Sequence, residues 1–141
     1  MESGWLAFAL GSAFFAGLTA ILAKLGVEGL NSNLATLIRT VVILAMTALI
    51  VSMRREWVMP AATATRQIGF LVASGVATGL SWLCYYRALQ LAPASVVAPI
   101  DKLSVVFAIV LGIAVLGEPL TWRVAMGGLM IVAGALVIAT A

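Results

Sequence analysis

The sequence contains no histidine and a single cysteine, Cys84. Without histidine, the chain lacks the commonest general base and the commonest metal ligand. One cysteine excludes both an internal disulfide and a cysteine-based zinc cluster. The sequence also contains no HExxH motif, no phosphate-binding glycine loop and no paired carboxylates. We therefore expect neither an enzyme nor a resident cofactor or metal.

Charged residues are scarce as well. Only 9% of the residues are charged and 64% are hydrophobic, whereas a soluble domain is about 25% charged and roughly 45–50% apolar. The eight Lys and Arg residues are scattered, so the formal charge of +3 does not indicate a nucleic-acid partner. Residues 1–3 carry no basic side chain, and we expect no cleavable signal peptide. The composition predicts a protein whose main surroundings are the lipid bilayer.

What the sequence does contain is five long apolar segments. A helix of about 20 apolar residues crosses a hydrocarbon core about 30 Å thick. We predict an all-α integral membrane protein with a single domain over residues 1–141 and five transmembrane helices. The predicted helices are about 4–23, 34–53, 68–91, 95–116 and 122–140. Because the connections are too short to fold on their own, function is expected within the membrane.

The distribution of Lys and Arg indicates an orientation only when the loops are counted alone. The second loop and the start of the fifth helix place four cations on one side, and Lys24 lies on the other. By the positive-inside rule, this predicts a cytoplasmic N-terminus. Arg87 and Lys102, near the other ends of helices three and four, change the count to four against three. The bias then almost vanishes, so a pair of oppositely inserted copies is permitted.

Arg39 is the plainest ionisable residue inside a predicted span. It lies five residues into the second predicted helix, about 8 Å from its end at about 1.5 Å per residue. Ionisable side chains are costly in a bilayer and are candidates for function. Two interpretations stay open. The long side chain either snorkels or forms a structural ion pair, or it lines the path of a substrate.

A polar cluster occupies the fourth predicted helix. Asp101 and Lys102 follow the interior Pro99, and Ser104 comes next. An interior proline removes a helix hydrogen bond and kinks the chain, and such freed backbone groups are tolerated where they face protein or water. The cluster predicts a polar pocket. The alternative is a helix that begins at Pro99, with Asp101 in its first turn.

Helix three supplies aromatic side chains. Trp82, Tyr85 and Tyr86 fall at positions i, i+3 and i+4, so they share one face, with Arg87 beside them. An interfacial aromatic belt with an anchoring arginine would explain this pattern. A wall that stacks on a planar or cationic substrate is the functional alternative. Because neighbouring residues on a helix point about 100° apart, we expect Asp101 to pair across helices, with Arg87 or with Arg39.

Several short motifs resemble those of a known family. They are LATLIRT at 34–40, SGVATGLSW at 74–82, YRALQLAPAS at 86–95, VAPIDKLS at 97–104 and LGEPLTW at 116–122. In this order they resemble the EamA domain of the drug/metabolite transporter superfamily, in its short single-repeat bacterial and archaeal branch. The resemblance covers essentially the whole chain.

The resemblance implies one five-helix half of a transporter. Longer relatives fuse two inverted repeats around a central cavity, and many export amino acids, nucleobases or other metabolites. We therefore expect a multi-pass protein of a prokaryotic plasma membrane that exports a small organic solute. As a single repeat, it would act as a homodimer by alternating access. Four-helix relatives use a glutamate in their first helix; here that helix has no acid, which leaves Asp101 as the deep acid.

The candidate substrate-binding or coupling residues follow from these patterns. They are Asp101, Lys102, Arg39, Arg87, Trp82, Tyr85 and Ser104. The competing hypothesis is a non-transporting membrane subunit that binds or stabilises a partner protein. A cavity that reaches Asp101 would favour the carrier, and polar residues paired only with each other would favour the subunit. A channel is less well supported, since no ring of like charges is visible.

Overall fold

A computed structural model describes residues 4–58 and 64–140 of the chain. These residues form α-helices and no β-strand. The helices are α1 (Gly4–Val27), α2 (Ser32–Arg54), α3 (Thr65–Leu91), α4 (Ala94–Asp101), α5 (Ser104–Leu116) and α6 (Trp122–Ala139). Part of the predicted second loop, residues 59–63, lies outside the described residues.

Among the described residues, five helical segments are long and apolar enough to cross a membrane. The first, second, third and fifth of these segments are the helices α1, α2, α3 and α6. The fourth segment, Ala94–Leu116, consists of α4 and α5. The prediction of an all-α membrane protein with five spans is therefore confirmed. Large apolar side chains are exposed along these helices, as expected for surfaces that face lipid rather than water.

The chain divides into two compact units. The central unit is Ala23–Gln90, and the terminal unit combines the chain up to Leu22 with the chain from Leu91 onward. The prediction of one domain over 1–141 stays a prediction. Each unit contains one group of the polar residues that the sequence singled out, so the two are described separately.

In the central unit, side chains tie the end of α3 to the neighbouring segments. The Lys24 ammonium donates a hydrogen bond to the backbone carbonyl of Leu89 at 2.6 Å. The Gln90 side-chain amide donates to the carbonyl of Leu30 at 2.7 Å. The last four carbonyls of a helix have no partner within it, and a cation is favourable at this end of the helix dipole. Lys24 meets both requirements for α3.

In the terminal unit, residues 117–121 form the turn between α5 and α6. Gly117 adopts the left-handed conformation (φ +69°) that ends α5, and glycine enters this region at little cost. The N–H of Glu118 donates to the carbonyl of Gly112 at 3.2 Å. The hydroxyl of Thr121 then accepts from the N–H of Val124 at 3.3 Å and caps α6. Gly117 and Thr121 in this motif thus have identifiable structural roles, and position 118 contributes its backbone N–H.

Candidate functional site

The fourth span is broken, although the sequence predicted one helix over 95–116. The helix α4 ends at Asp101, and α5 begins at Ser104. Between them, the N–H groups of Lys102 and Leu103 donate to the carbonyls three residues earlier, at 3.1 and 3.0 Å. Bonds of this spacing form a 3₁₀ turn, and such a turn inside a longer helix often marks a hinge. The break is therefore a place where the span can bend.

Pro99 lies inside α4, one turn before the break. Because α4 already begins at Ala94, the alternative in which the helix starts at Pro99 is wrong. Proline has no N–H, so the carbonyl of Ser95 cannot receive the usual hydrogen bond from position 99. The backbone of α4 therefore has fewer restraints than that of a regular helix. This explains why the span is weakened here, and not why the turn tightens at Leu103 in particular.

Asp101 and Lys102 contact one another at the break. The Lys102 ammonium lies 3.4 Å from a carboxylate oxygen of Asp101. The side chain of Lys102 is 56% exposed and that of Asp101 38%, so this is a weak pair that solvent or a ligand can reach. We expected both residues to prefer partners on other helices. Arg39 and Arg87 belong to the central unit, and a pairing of either with Asp101 stays a prediction.

A groove of about 520 Å³ lies beside the break, within the terminal unit. One side is formed by residues of α4 and α5 and the other by residues of α6, including Ala98, Val105, Met130 and Ile138. Lys102 is the charged residue among those that line it, whereas Asp101 and Ser104 are outside this set. The volume lies in the range of small-molecule sites. We refer to it below as the α4–α6 groove.

In the central unit, Arg39 lies over two aromatic rings of α3. Its guanidinium carbon is 4.2 Å from the centroid of the Trp82 ring and 5.8 Å from that of Tyr86. Trp82 and Tyr86 are one helical turn apart, and Tyr86 is only 5% exposed. Both distances are within the range of cation–π attraction. Trp82 and Tyr86 therefore form a surface that contacts a cation of the chain itself, and the wall of Trp82 and Tyr85 for a substrate stays a prediction.

The other aromatic and basic candidates of helix three differ from this pair. Tyr85, which we proposed as part of the wall, is half-buried. Tyr86, which we did not propose as a binding residue, shares the guanidinium of Arg39 with Trp82. Arg87 donates a hydrogen bond to the side-chain oxygen of Gln90 at 3.0 Å. Since the Gln90 side chain also donates a hydrogen bond to the carbonyl of Leu30, Arg87 helps to order the end of α3.

Sequence reasoning did not single out Gln90, nor did it give Lys24 any role except in the charge count. Both act through backbone carbonyls at least 60 residues away in the chain, and a sequence pattern does not show such contacts. For Tyr86 a signal was present. Its i, i+4 spacing from Trp82 places the two rings on one stripe of α3. The candidates thus fall into two groups, Arg39 with Trp82 and Asp101 with Lys102.

Comparison with known proteins gives a consistent result. The model of the EamA-like transporter family matches residues 3–140. A relative from Sinorhizobium sp., named "Uncharacterized transporter in cobO 3'region", is 50% identical over 139 residues. The match covers 99% of this chain and 99% of the relative, so the two have nearly the same length. No solved structure matches the chain.

Proposed function

Because this chain belongs to the EamA-like transporter family, as its motifs predicted, we propose that it is a secondary exporter of a small organic metabolite or drug-like solute. The family and the name of the Sinorhizobium relative support a role in transport, and the five spans support a multi-pass membrane protein. The direction of transport and the class of solute are our proposals.

The observation that carries this proposal is the broken fourth span. A 3₁₀ turn there interrupts an otherwise apolar helix and holds an accessible pair, Asp101 and Lys102. An ionisable pair inside a span is costly in free energy, so its presence there indicates a function. Lys102 of this pair lines the α4–α6 groove, which gives space for a solute. In many secondary transporters, interrupted transmembrane helices form the substrate site.

We further propose that two copies of the chain form the complete transporter. Five spans correspond to one repeat of transporters that contain two inverted repeats. The Sinorhizobium relative has nearly the same length, which supports the proposal that such a chain is a single repeat. The homodimer would lie in a prokaryotic plasma membrane. In copies oriented by their loop cations, the N-terminus is cytoplasmic.

The test is solute flux in proteoliposomes that contain the purified chain. We would load them with a mixture of radiolabelled amino acids and nucleobases and compare the wild type with Asp101→Asn. We expect the substitution to lower flux by about tenfold or more, because a charge-assisted contact is lost. Glu56→Gln removes a carboxylate from the second loop and is the matched control.

Each outcome decides one point. Unchanged flux in Asp101→Asn would remove Asp101 from the mechanism. Wild-type proteoliposomes that move no labelled solute faster than empty liposomes would contradict transport itself. In that case, recovery of a second protein in equal amount with the chain would support the alternative, a membrane subunit that stabilises a partner.

A further inference from the structure

The guanidinium of Arg39 is held in place but is not neutralised within the described part of its unit. The rings of Trp82 and Tyr86 attract its charge through cation–π contacts. An aromatic face is at best a weak hydrogen-bond acceptor, whereas a guanidinium has five N–H donors. The two rings therefore fix the position of Arg39 and leave most of its hydrogen-bonding capacity unused.

The described part of the central unit, residues 23–58 and 64–90, supplies no carboxylate to Arg39. Of its acidic residues, Glu56 lies 3.7 Å from Arg54, and Glu28 forms no ion pair with Arg39. The nearby hydroxyls of Thr36 and Thr40 donate their protons to carbonyls of α2 at 2.9 and 2.8 Å. A half-buried cation without a counter-ion is costly in an apolar segment. The described residues of its own unit therefore leave the charge of Arg39 available to an anionic partner from outside that unit.

We propose that Arg39 binds an oxyanion, either a carboxylate or a phosphate group, and that Trp82 and Tyr86 are its positioning residues. The planar fork of a guanidinium matches both groups in bidentate geometry. The inference deepens the proposed transport function, on which it rests only for the source of the anion. If the solute supplies it, the substrates are small organic acids, amino acids or phosphate esters.

An anionic lipid headgroup is a second source of an oxyanion for Arg39, because Arg39 lies near one end of its span. Arg39 is the eighth residue of α2, roughly 10 Å from the start of the helix at about 1.5 Å per residue. At this depth, a long basic side chain can extend toward an anionic lipid headgroup at the membrane surface. The experiment therefore needs one arm for soluble anions and one for lipid.

The chain provides a matched control for Arg39. Arg66, at the start of α3, lies over a single ring, with its guanidinium carbon 5.6 Å from the centroid of Phe70. Arg66 is exposed, whereas Arg39 is half-buried between helices α2 and α3 of the same unit. Both arginines therefore make a cation–π contact. Of the two, Arg39 alone combines two rings with partial burial, so Arg66→Gln should leave oxyanion binding unchanged.

The fluorescence of Trp82 reports on this contact directly. Replacing Trp5, Trp57 and Trp122 by Phe leaves Trp82 as the single tryptophan. The purified protein in neutral detergent would be titrated with sodium acetate or sodium phosphate against sodium chloride of equal ionic strength. We expect a saturable change in Trp82 emission with at least one oxyanion. In Arg39→Gln its midpoint should rise by at least about tenfold, and Arg39→Lys should be intermediate because it keeps charge but loses the fork.

The lipid arm uses nanodiscs of phosphatidylcholine with or without phosphatidylglycerol. If a headgroup occupies the site, phosphatidylglycerol alone should change the Trp82 emission in the wild type and not in Arg39→Gln. That result would support the oxyanion site and overturn its assignment to a solute. If neither soluble anions nor phosphatidylglycerol changes the emission, or if Arg39→Gln responds like the wild type, the proposal is wrong.

Two measurements keep this test separate from others. Size-exclusion profiles and circular dichroism identify a variant that has not folded, and Arg39→Lys then carries the comparison. Binding is read at equilibrium without flux. Oxyanion binding in a chain that moves no solute would contradict the proposed transport function alone, whereas flux without oxyanion binding would contradict only this inference.

Discussion

At the residue scale, two glycines, one in α5 and one at its end, have different reasons to be glycine. Gly117 has a φ of +69°, a conformation that side chains with a Cβ rarely adopt. Gly112 is buried and regular, but a Cβ there would lie 2.9 Å from a carboxylate oxygen of Glu118. At Gly117, the backbone conformation favours glycine. At Gly112, the space for a side chain is limited only by the flexible side chain of Glu118, which can move away.

We therefore expect Gly117→Ala to lower the free energy of unfolding by about 1 kcal/mol. Gly112→Ala should change it by less than about 0.5 kcal/mol, since alanine favours the helix and the end of Glu118 can rotate. The measurement is reversible unfolding in mixed micelles, followed by circular dichroism. Gly117→Asn is the control, because asparagine tolerates the left-handed region. Equal losses for both alanine variants would show that backbone conformation is not the deciding factor at Gly117.

The same scale shows how far the sequence predicts the candidate site. Arg39 and Trp82 were both identified, since a charge in an apolar run and an aromatic stripe are visible in one segment at a time. Their contact was not predicted, because it depends on how α2 and α3 are rotated against each other. The sequence also favoured separate partners for Asp101 and Lys102, yet long side chains let these neighbours meet at 3.4 Å.

At the scale of elements, the broken fourth span is what separates this chain from a simple bundle. The bounds of the other helices were predictable from apolar length alone, with α1 extending to Val27 where the sequence suggested residue 23. Lys24 explains the extension, because its ammonium binds a carbonyl of α3 and need not mark the edge of the helix. Pro99 predicted a kink. It did not predict a 3₁₀ turn three residues later, which depends on local backbone bonds.

If the break acts as a hinge, restoring regular helix should stiffen the span. We expect Pro99→Ala to return an N–H donor to the carbonyl of Ser95 and to raise the free energy of unfolding by about 1 kcal/mol or more. Solute flux should fall at the same time. Hydrogen exchange of the amides of Lys102 and Leu103 checks the cause, since both should exchange more slowly in the variant.

Pro93→Ala is the matched control for Pro99→Ala. Pro93 is the residue that precedes α4, where the missing N–H would have no partner within the helix. Its replacement should leave both flux and amide exchange at the break near wild-type values. A stabilised Pro99→Ala variant that retains full flux would show that the 3₁₀ turn is structural and that the hinge lies elsewhere.

At the scale of the whole molecule, the described part of the chain has five spans, and the cations that flank them are almost balanced in number. An odd number of spans places the two ends of the chain on opposite sides of the membrane. Lys24 and Arg87 both lie near the C-terminal end of α3, where Lys24 binds the carbonyl of Leu89 and Arg87 binds Gln90. This is consistent with counting the two cations on one side of the membrane. With four cations against three, the positive-inside rule gives little preference. We expect copies to insert in both orientations, as an inverted pair requires.

Single-cysteine labelling tests this expectation. With Cys84→Ser and Asn33→Cys, the one thiol lies at the start of α2, at an exposed position. A membrane-impermeant maleimide should label part of the protein in intact cells and the remainder only after the membrane is opened. Two charge variants should shift the division in opposite directions, because both residues are exposed and lie beside opposite ends of α2. Glu56→Lys makes the count five against three, and Glu28→Lys makes it four against four. Complete labelling from one side in the wild type, unaltered by either variant, would exclude an inverted pair. It would leave a parallel dimer or a monomer, and alternating access would then need another source of its second half.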